Sequence, residues 1–186
     1  VKELVRVDKN IPTRYITARF TAPEPKSPDY APLVLGMKVL RDRLWEHVRT
    51  KGGLAYAVSS RLVGMAANYG FLYVTTTDET AAMARSLVEL KRLANEPIGQ
   101  EELGAAKSVY TTDYYMGAQS IGGLCSQPTF AELYLGGYAN RRAVIDGVRA
   151  ATPEAVQQAA ARWVKGLVYG VLGKQETLNL KVFVEP

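Results

Sequence analysis

The order of patterned segments in this 186-residue chain predicts an α+β fold, a two-layer sandwich in which a mostly antiparallel sheet packs on helices. Two observations carry that prediction. Two β-patterned runs, AYAVSSRLV and YGFLYVTTT, follow each other with only a short GMAANYG connection, which suits a hairpin or meander. Helical patterns then follow one another along most of the remaining chain. There is no repeat at a fixed period and no linker-like tract, so residues 1–186 read as one domain.

The elements follow in order. RYITARF (14–20) alternates and is rich in β-branched and aromatic residues, as a half-buried strand should be. After the Pro-rich joint TAPEPKSP, Leu33, Met37, Leu40, Leu44 and Val48 recur in steps of three and four. That spacing lines one face of a helix spanning 29–50. Gly52 and Gly53 end it, because glycine accepts the left-handed conformation of a C-terminal cap. After the paired strands, Asp78 caps a helix that stops before Pro97. A second long helix starts near Gln100, and Gly122–Gly123 is expected to break it. SQPTFAELYLGG reads as a short helix with proline at its start and Gly136–Gly137 at its end. NRRAVIDGVRA and TPEAVQQAAARWV are two further helices, the latter with Thr152 as N-cap and Pro153 as first helical residue. LVYGVLG is a strand, and the alternating tail LNLKVFVE suggests one more.

Composition narrows the functional classes. Hydrophobic residues make up 47% of the chain and charged residues 22%, which suits a globular domain with a sizeable core. No apolar run approaches the roughly 20 residues that span a bilayer, so no membrane span is expected. The first residues, VKELVRVDKN, are charged and lack the apolar centre of a signal peptide. The chain begins with Val and is read as the C-terminal part of a longer protein. Its compartment stays open between cytoplasm and periplasm, with a soluble protein expected in either.

The net charge is +5, and Arg41, Arg43, Arg49, Lys51 and Arg61 fall in one segment. Such a surplus attracts nucleic acid, anionic lipid or the oxygen atoms of a peptide. Its plainer reading is solvated charge on a helix face. A basic nucleic-acid-binding domain therefore stays as a third functional class, resting on charge alone.

The exclusions are sharper. Cys125 is the only cysteine, which rules out an internal disulfide and a cysteine-based zinc site; its apolar setting, GGLCSQP, suits a buried thiol. His47 is the only histidine and is expected at the surface or rim. A catalytic zinc site takes three protein ligands and an open position for water, so one copy of this chain cannot build one of the usual histidine-based kinds. No phosphate-binding glycine loop is present, and Tyr114–Tyr115 on a helix reads as core packing rather than a stacking platform.

What remains is the corner HVRTKGGLAYAV (47–58), where a helix meets a strand with Arg49 on one side and Tyr56 on the other. A cation in the last turn of a helix is favoured by the helix dipole, and tyrosine is at home at a strand start. On pattern alone the corner is an ordinary turn.

The segment LRDRLWEHVRTKGGLAYAVSSRL, however, resembles a stretch of M16 (insulinase/pitrilysin-like) metallopeptidase domains that reads S-R-L-F-x-E-V-R-E-K-x-G-L-A-Y-S-V. NYGFLYVTTTDETAAMA, IGQEELGAAKSVY and ATPEAVQQAAARWV are similar to three further family segments, in family order. Asp42, His47 and Gly52 depart from the pattern. The resemblance implies the LuxS/mitochondrial-processing-peptidase-like metallohydrolase fold and the lobe of the family's clamshell that carries no metal ligands. It implies that Tyr56 is a catalytic and substrate-binding residue and that Arg49 binds substrate, the pair having the family's seven-residue spacing. It also implies no cofactor in this chain, zinc in a partner domain or subunit bearing an HxxEH motif in cis or in trans, and a peptide substrate. The isolated chain is then expected to be inactive. Nucleic-acid binding is not expected and a dimer is left open. The alternative within the family is a catalytically inactive partner or assembly subunit.

Overall fold

The computed structural model describes residues 4–64 and 67–183. Five strands form one sheet in the order β1-β5-β2-β4-β3: Leu4–Asp8 (β1), Arg14–Thr21 (β2), Ala57–Val63 (β3), Tyr69–Thr76 (β4) and Val168–Gly173 (β5). All neighbours are antiparallel except β1 and β5, which run parallel with Leu4 opposite Tyr169. The α+β architecture with a mostly antiparallel sheet is the one the sequence predicts.

Alternation assigns the two sheet faces. On β2, Ile16, Ala18 and Phe20 are buried while Arg19 and Thr21 point to solvent. Val58, Leu72, Val74, Tyr169 and Val171 extend the buried face across the sheet. Helix α1 (Tyr30–Leu44) packs on this face, on β3, where Ser60 donates a 2.9 Å hydrogen bond to the carbonyl of Met37. Leu33, Leu35, Met37, Val39, Leu40 and Leu44 are all buried, so α1 is apolar around most of its circumference. A helix of that kind belongs at the centre. It is covered by α2 (Glu79–Asn95), α3 (Gln100–Gly117), α5 (Ala143–Ala150) and α6 (Pro153–Trp163). The expected caps form: Asp78 accepts from the N–H of Ala81, and Thr152 accepts from that of Ala155.

Two ion pairs, each with a buried arginine, lock elements together. Arg14 on β2 meets Glu79 at the start of α2 at 3.0 Å. Arg43 on α1 grips Glu102 on α3 with two bonds of 2.7 and 2.8 Å, and Glu102 also accepts from the N–H of Gly99. Hydrogen bonding to the Arg43 guanidinium holds the Glu102 carboxyl below the usual range.

The structure corrects the sequence reading in four places. The helix expected over 29–50 widens into a π-helical turn over Trp45–Thr50. Strand β1, within the charged opening segment, was not anticipated. The alternating tail is a 3₁₀ turn over Leu180–Phe183, with the expected strand's Val184–Glu185 outside the described residues. The sheet position beside β5 is already taken by β1, and the tail instead lies against α2, where the Asn179 N–H donates to Glu79. The fourth correction concerns Gly122–Gly123. Helix α3 stops at Gly117, and the next helix, α4, runs from Ile121 to Tyr134 with both glycines in its first turn and Pro128 inside it. Ser120 is the signal that was passed over: its hydroxyl accepts from the N–H of Gly123, which is an N-cap. A Cβ on Gly123 would fall 1.6 Å from the carbonyl oxygen of Gly117, so glycine there serves a close approach and not a helix end. Met65–Ala66 of the β3–β4 connection also lie outside the described residues.

Candidate functional site: a pinned corner carrying Arg49 and Tyr56

The corner begins where α1 becomes π-helical. The N–H of Lys51 donates to the carbonyl of Glu46, five residues back, at 2.8 Å. The chain then reverses. Gly53 takes φ +60° and its N–H bonds the Arg49 carbonyl at 3.0 Å; the Leu54 N–H bonds the Val48 carbonyl at 2.9 Å. Each glycine answers a different requirement. Gly53 supplies the left-handed φ, and at Gly52 a Cβ would stand 2.5 Å from the His47 oxygen and 2.9 Å from that of Val48.

The far side of the corner is tied to the sheet. The Tyr56 N–H donates to the Thr75 carbonyl at 2.8 Å, and the buried Thr76 hydroxyl donates to the Leu54 carbonyl at 2.6 Å. The near side is tied to α2, where the His47 Nδ1 lies 2.7 Å from a carboxylate oxygen of buried Glu89. Val48 is fully buried beneath. The backbone from 47 to 56 is thus held from three directions.

The two side chains that the sequence singled out behave differently from that backbone. Tyr56 is 81% exposed, the least covered aromatic residue among those described, with its backbone fixed and its ring in solvent. Arg49 lies with its guanidinium 3.8 Å from the centre of the Trp45 ring and has no carboxylate partner among the described residues. Stacking on one face leaves the edge N–H groups of the guanidinium free to donate. The corner therefore presents a phenol and an arginine on one short, braced segment. Trp45 was not among the predicted site residues; its i, i+4 relation to Arg49 was the available signal.

Other expectations meet their corrections here. Cys125 is exposed, because the first turns of α4 stand off the body of the domain. Tyr115 is 46% exposed, stacked edge-on against Tyr114 with its hydroxyl accepting from Arg149, so the pair is not core packing. The basic cluster is not one solvated face: Arg43 is buried against Glu102, Arg41 pairs with Asp42, Lys51 pairs with Glu46, and Arg61 lies over Phe71. His47, expected at the surface or rim, is half-buried. Among the described residues no three His, Cys, Asp or Glu side chains converge to hold a metal, and the single imidazole is engaged by Glu89. The described residues do not fit a zinc site. No helix among the described residues is long and apolar enough to cross a membrane.

The family model for the peptidase M16 inactive domain matches residues 1–110, from β1 through most of α3 and including the whole corner. The chain belongs to that family. Among solved structures, this M16 inactive domain is similar to the inactive peptidase domain of a candidate zinc protease from Bordetella parapertussis (23% identity, TM-score 0.77, covering 86% of this chain and 91% of that one). It is similar to a peptidase M16 inactive domain from Pseudomonas fluorescens (19%, 0.72, 94% of this chain and 44% of that one). It is also similar to a chain of complex III2 from Candida albicans (16%, 0.82, 98% and 48%). At these identities the likenesses establish the fold. No curated protein matches the chain in sequence.

Proposed function

We propose that this M16 inactive domain, acting over residues 1–186 as one unit, is the metal-free lobe of a two-lobed zinc peptidase, with Arg49 and Tyr56 as its contribution to the substrate cleft. The observation that carries the reading is Tyr56, solvent-exposed at 81% on a backbone held by hydrogen bonds at Gly53, Leu54 and Tyr56 itself. A ring with nothing to pack against, on a segment that cannot move away, is arranged to meet something outside the domain. Zinc and the group that activates water belong on this reading to a separate HxxEH-bearing domain or chain, in cis or in trans. The similar Pseudomonas fluorescens chain has room for more than one such unit, since this domain spans 44% of it.

The chemistry of the two groups is specific. A phenol hydroxyl donates best to an oxygen that is gaining negative charge, as the carbonyl oxygen of a peptide does during hydrolysis. Arg49, stacked on Trp45, keeps donors free for a carbonyl already present in the bound peptide. Fixed placement removes the entropy of ordering either group at the moment of reaction.

Steady-state kinetics on a peptide substrate, with the zinc-bearing lobe present, tests the assignment. Tyr56→Phe should lower kcat on the order of 100-fold with little change in KM, because the bond is made mainly in the transition state. Arg49→Ala should also raise KM. Wild-type kcat in a folded Tyr56→Phe variant would reduce the corner to a turn.

A second reading, an assembly subunit without catalysis, is favoured by the 0.82 TM-score to the complex III2 chain over 98% of this domain. A stable complex with a partner chain that lacks HxxEH and shows no peptidase activity would select it.

A further inference from the structure

Away from the corner, a cavity of about 340 Å³ opens between the C-terminal half of α2, the end of α6, the start of β5 and the 3₁₀ turn at Leu180–Phe183. That lies within the roughly 300–1,000 Å³ typical of small-ligand sites. On α2 the lining residues recur at 87, 90, 91, 94 and 95, one continuous helix face. Leu90, Val164, Leu167 and Phe183 make the wall apolar.

The polar side chains on the wall are those of Lys91, Asn95, Lys165 and Tyr169. Lys91 and Lys165 are exposed and have no carboxylate partner among the described residues. Tyr169, 3% exposed as a residue, lines the cavity beside them. Among the described residues no acidic side chain lines the cavity. The wall thus offers two cations, an amide and a phenol around an apolar volume, which suits an occupant that is apolar with one anionic group.

We propose that this cavity is a binding site for a medium-chain alkyl carboxylate, its chain among Leu90, Val164, Leu167 and Phe183 and its carboxylate met by Lys91, Lys165 and the Tyr169 hydroxyl. Length follows from volume. At about 30 Å³ for a water-sized group, the space holds roughly ten methylene-sized units. Burial pushes the Tyr169 hydroxyl up to about 12, so it stays protonated and donates at neutral pH.

The site is independent of the peptidase reading and is tested on the chain by itself. Isothermal titration with decanoate should show one site per chain with a Kd on the order of 10 µM. Decanol, with the same chain and no charge, should bind at least about tenfold more weakly, and decyltrimethylammonium should not bind. Lys91→Ala combined with Lys165→Ala should weaken decanoate about tenfold and leave decanol unchanged. Tyr169→Phe, which keeps the ring, should weaken decanoate several-fold. Ala161→Trp, at an exposed position on the rim, should block all binding in a folded protein. Failure of wild-type protein to bind decanoate would overturn the proposal, as would equal affinity for decanoate and decanol. So would binding untouched by Ala161→Trp, tighter binding of a short Leu-terminated peptide, or binding that appears only after residues 184–186 are deleted, which would make the chain's own tail the occupant.

Discussion

Two Gly-Gly pairs, Gly52–Gly53 and Gly122–Gly123, look alike in the sequence and are used in opposite ways. The first ends a helix and begins a strand, at a corner held by hydrogen bonds to Arg49, Val48, Thr75 and Thr76. The second opens a helix, α4, that stands largely off the body: Ile121 is 83% exposed, Leu124 58%, and Ala131 is the buried residue of that helix. The difference lies outside the pairs. Val48, Ala55 and Val58 flank the first and enter the core, so tertiary packing fixes its backbone. Around the second, packing contributes little, and Ser120 decides the geometry locally through its cap. A glycine pair marks where the backbone is freed from side-chain constraint; its neighbours determine what is done with that freedom.

The largest expected effect is at the corner. Gly52→Ala places a methyl group 2.5 Å from the His47 oxygen and 2.9 Å from that of Val48, both backbone atoms that cannot rotate away. The π-helical turn must open or the corner must shift, at a cost of roughly 2 kcal/mol. Urea unfolding should show a lowered midpoint with an unchanged m-value. A midpoint equal to wild type would mean that the corner is as yielding as the start of α4 and would remove the contrast.

How much of this was legible beforehand follows the same line. The stripe Leu33, Met37, Leu40, Leu44 and Val48 predicted the central helix, and all five residues are buried at 1% exposure or less. The β3–β4 hairpin, the caps at Asp78 and Thr152 and the strand LVYGVLG were readable because propensity, pattern and tertiary role agree there. Strand β1 was not readable. LVRVD has Val5 and Val7 at least half exposed, and only pairing with β5, some 160 residues away, makes it a strand. The tail was misread for the complementary reason, since its alternation was genuine but β1 held the sheet position. At the candidate site, Arg49 and Tyr56 were visible through a family resemblance. Their supports were not, because Glu89 and Thr76 come from distant parts of the chain.

A smaller effect tests how firmly the corner's end of the helical layer is anchored. Arg43 sits one residue before the end of α1, and its buried guanidinium binds Glu102 at the start of α3. The Glu102 carboxyl is held below the unfolded value of about 4.3. A depressed folded pKa gives stability that is fully present above the unfolded value and is lost as pH falls through the folded one. Stability measured from pH 5 downward should therefore decline more steeply in wild type than in Glu102→Gln, with the two curves parallel between pH 6 and 8. Because Glu102 is partly exposed, solvent screening keeps this contribution modest. Parallel curves throughout would show that the pair is electrostatically idle and that packing alone anchors α3.

The smallest effect has the opposite sign. A Cβ on Gly122 would meet nothing within 4 Å, and its φ is not in the left-handed region. Alanine there keeps the native backbone and reduces the freedom of the unfolded chain, so Gly122→Ala should stabilise by roughly 0.5 kcal/mol. Gly123→Ala, one residue on, should destabilise, because its methyl group would collide with the Gly117 carbonyl. The opposite signs at adjacent positions distinguish the cap geometry from general looseness. If the first turn of α4 were frayed, neither carbonyl nor cap would be in place, and both substitutions would act alike through helix propensity alone. Thermal unfolding of the two variants beside wild type, with far-UV circular dichroism for helix content, decides between these outcomes. Opposite signs mean that Ser120 and Gly123 build a defined helix start even where the tertiary structure gives it little support.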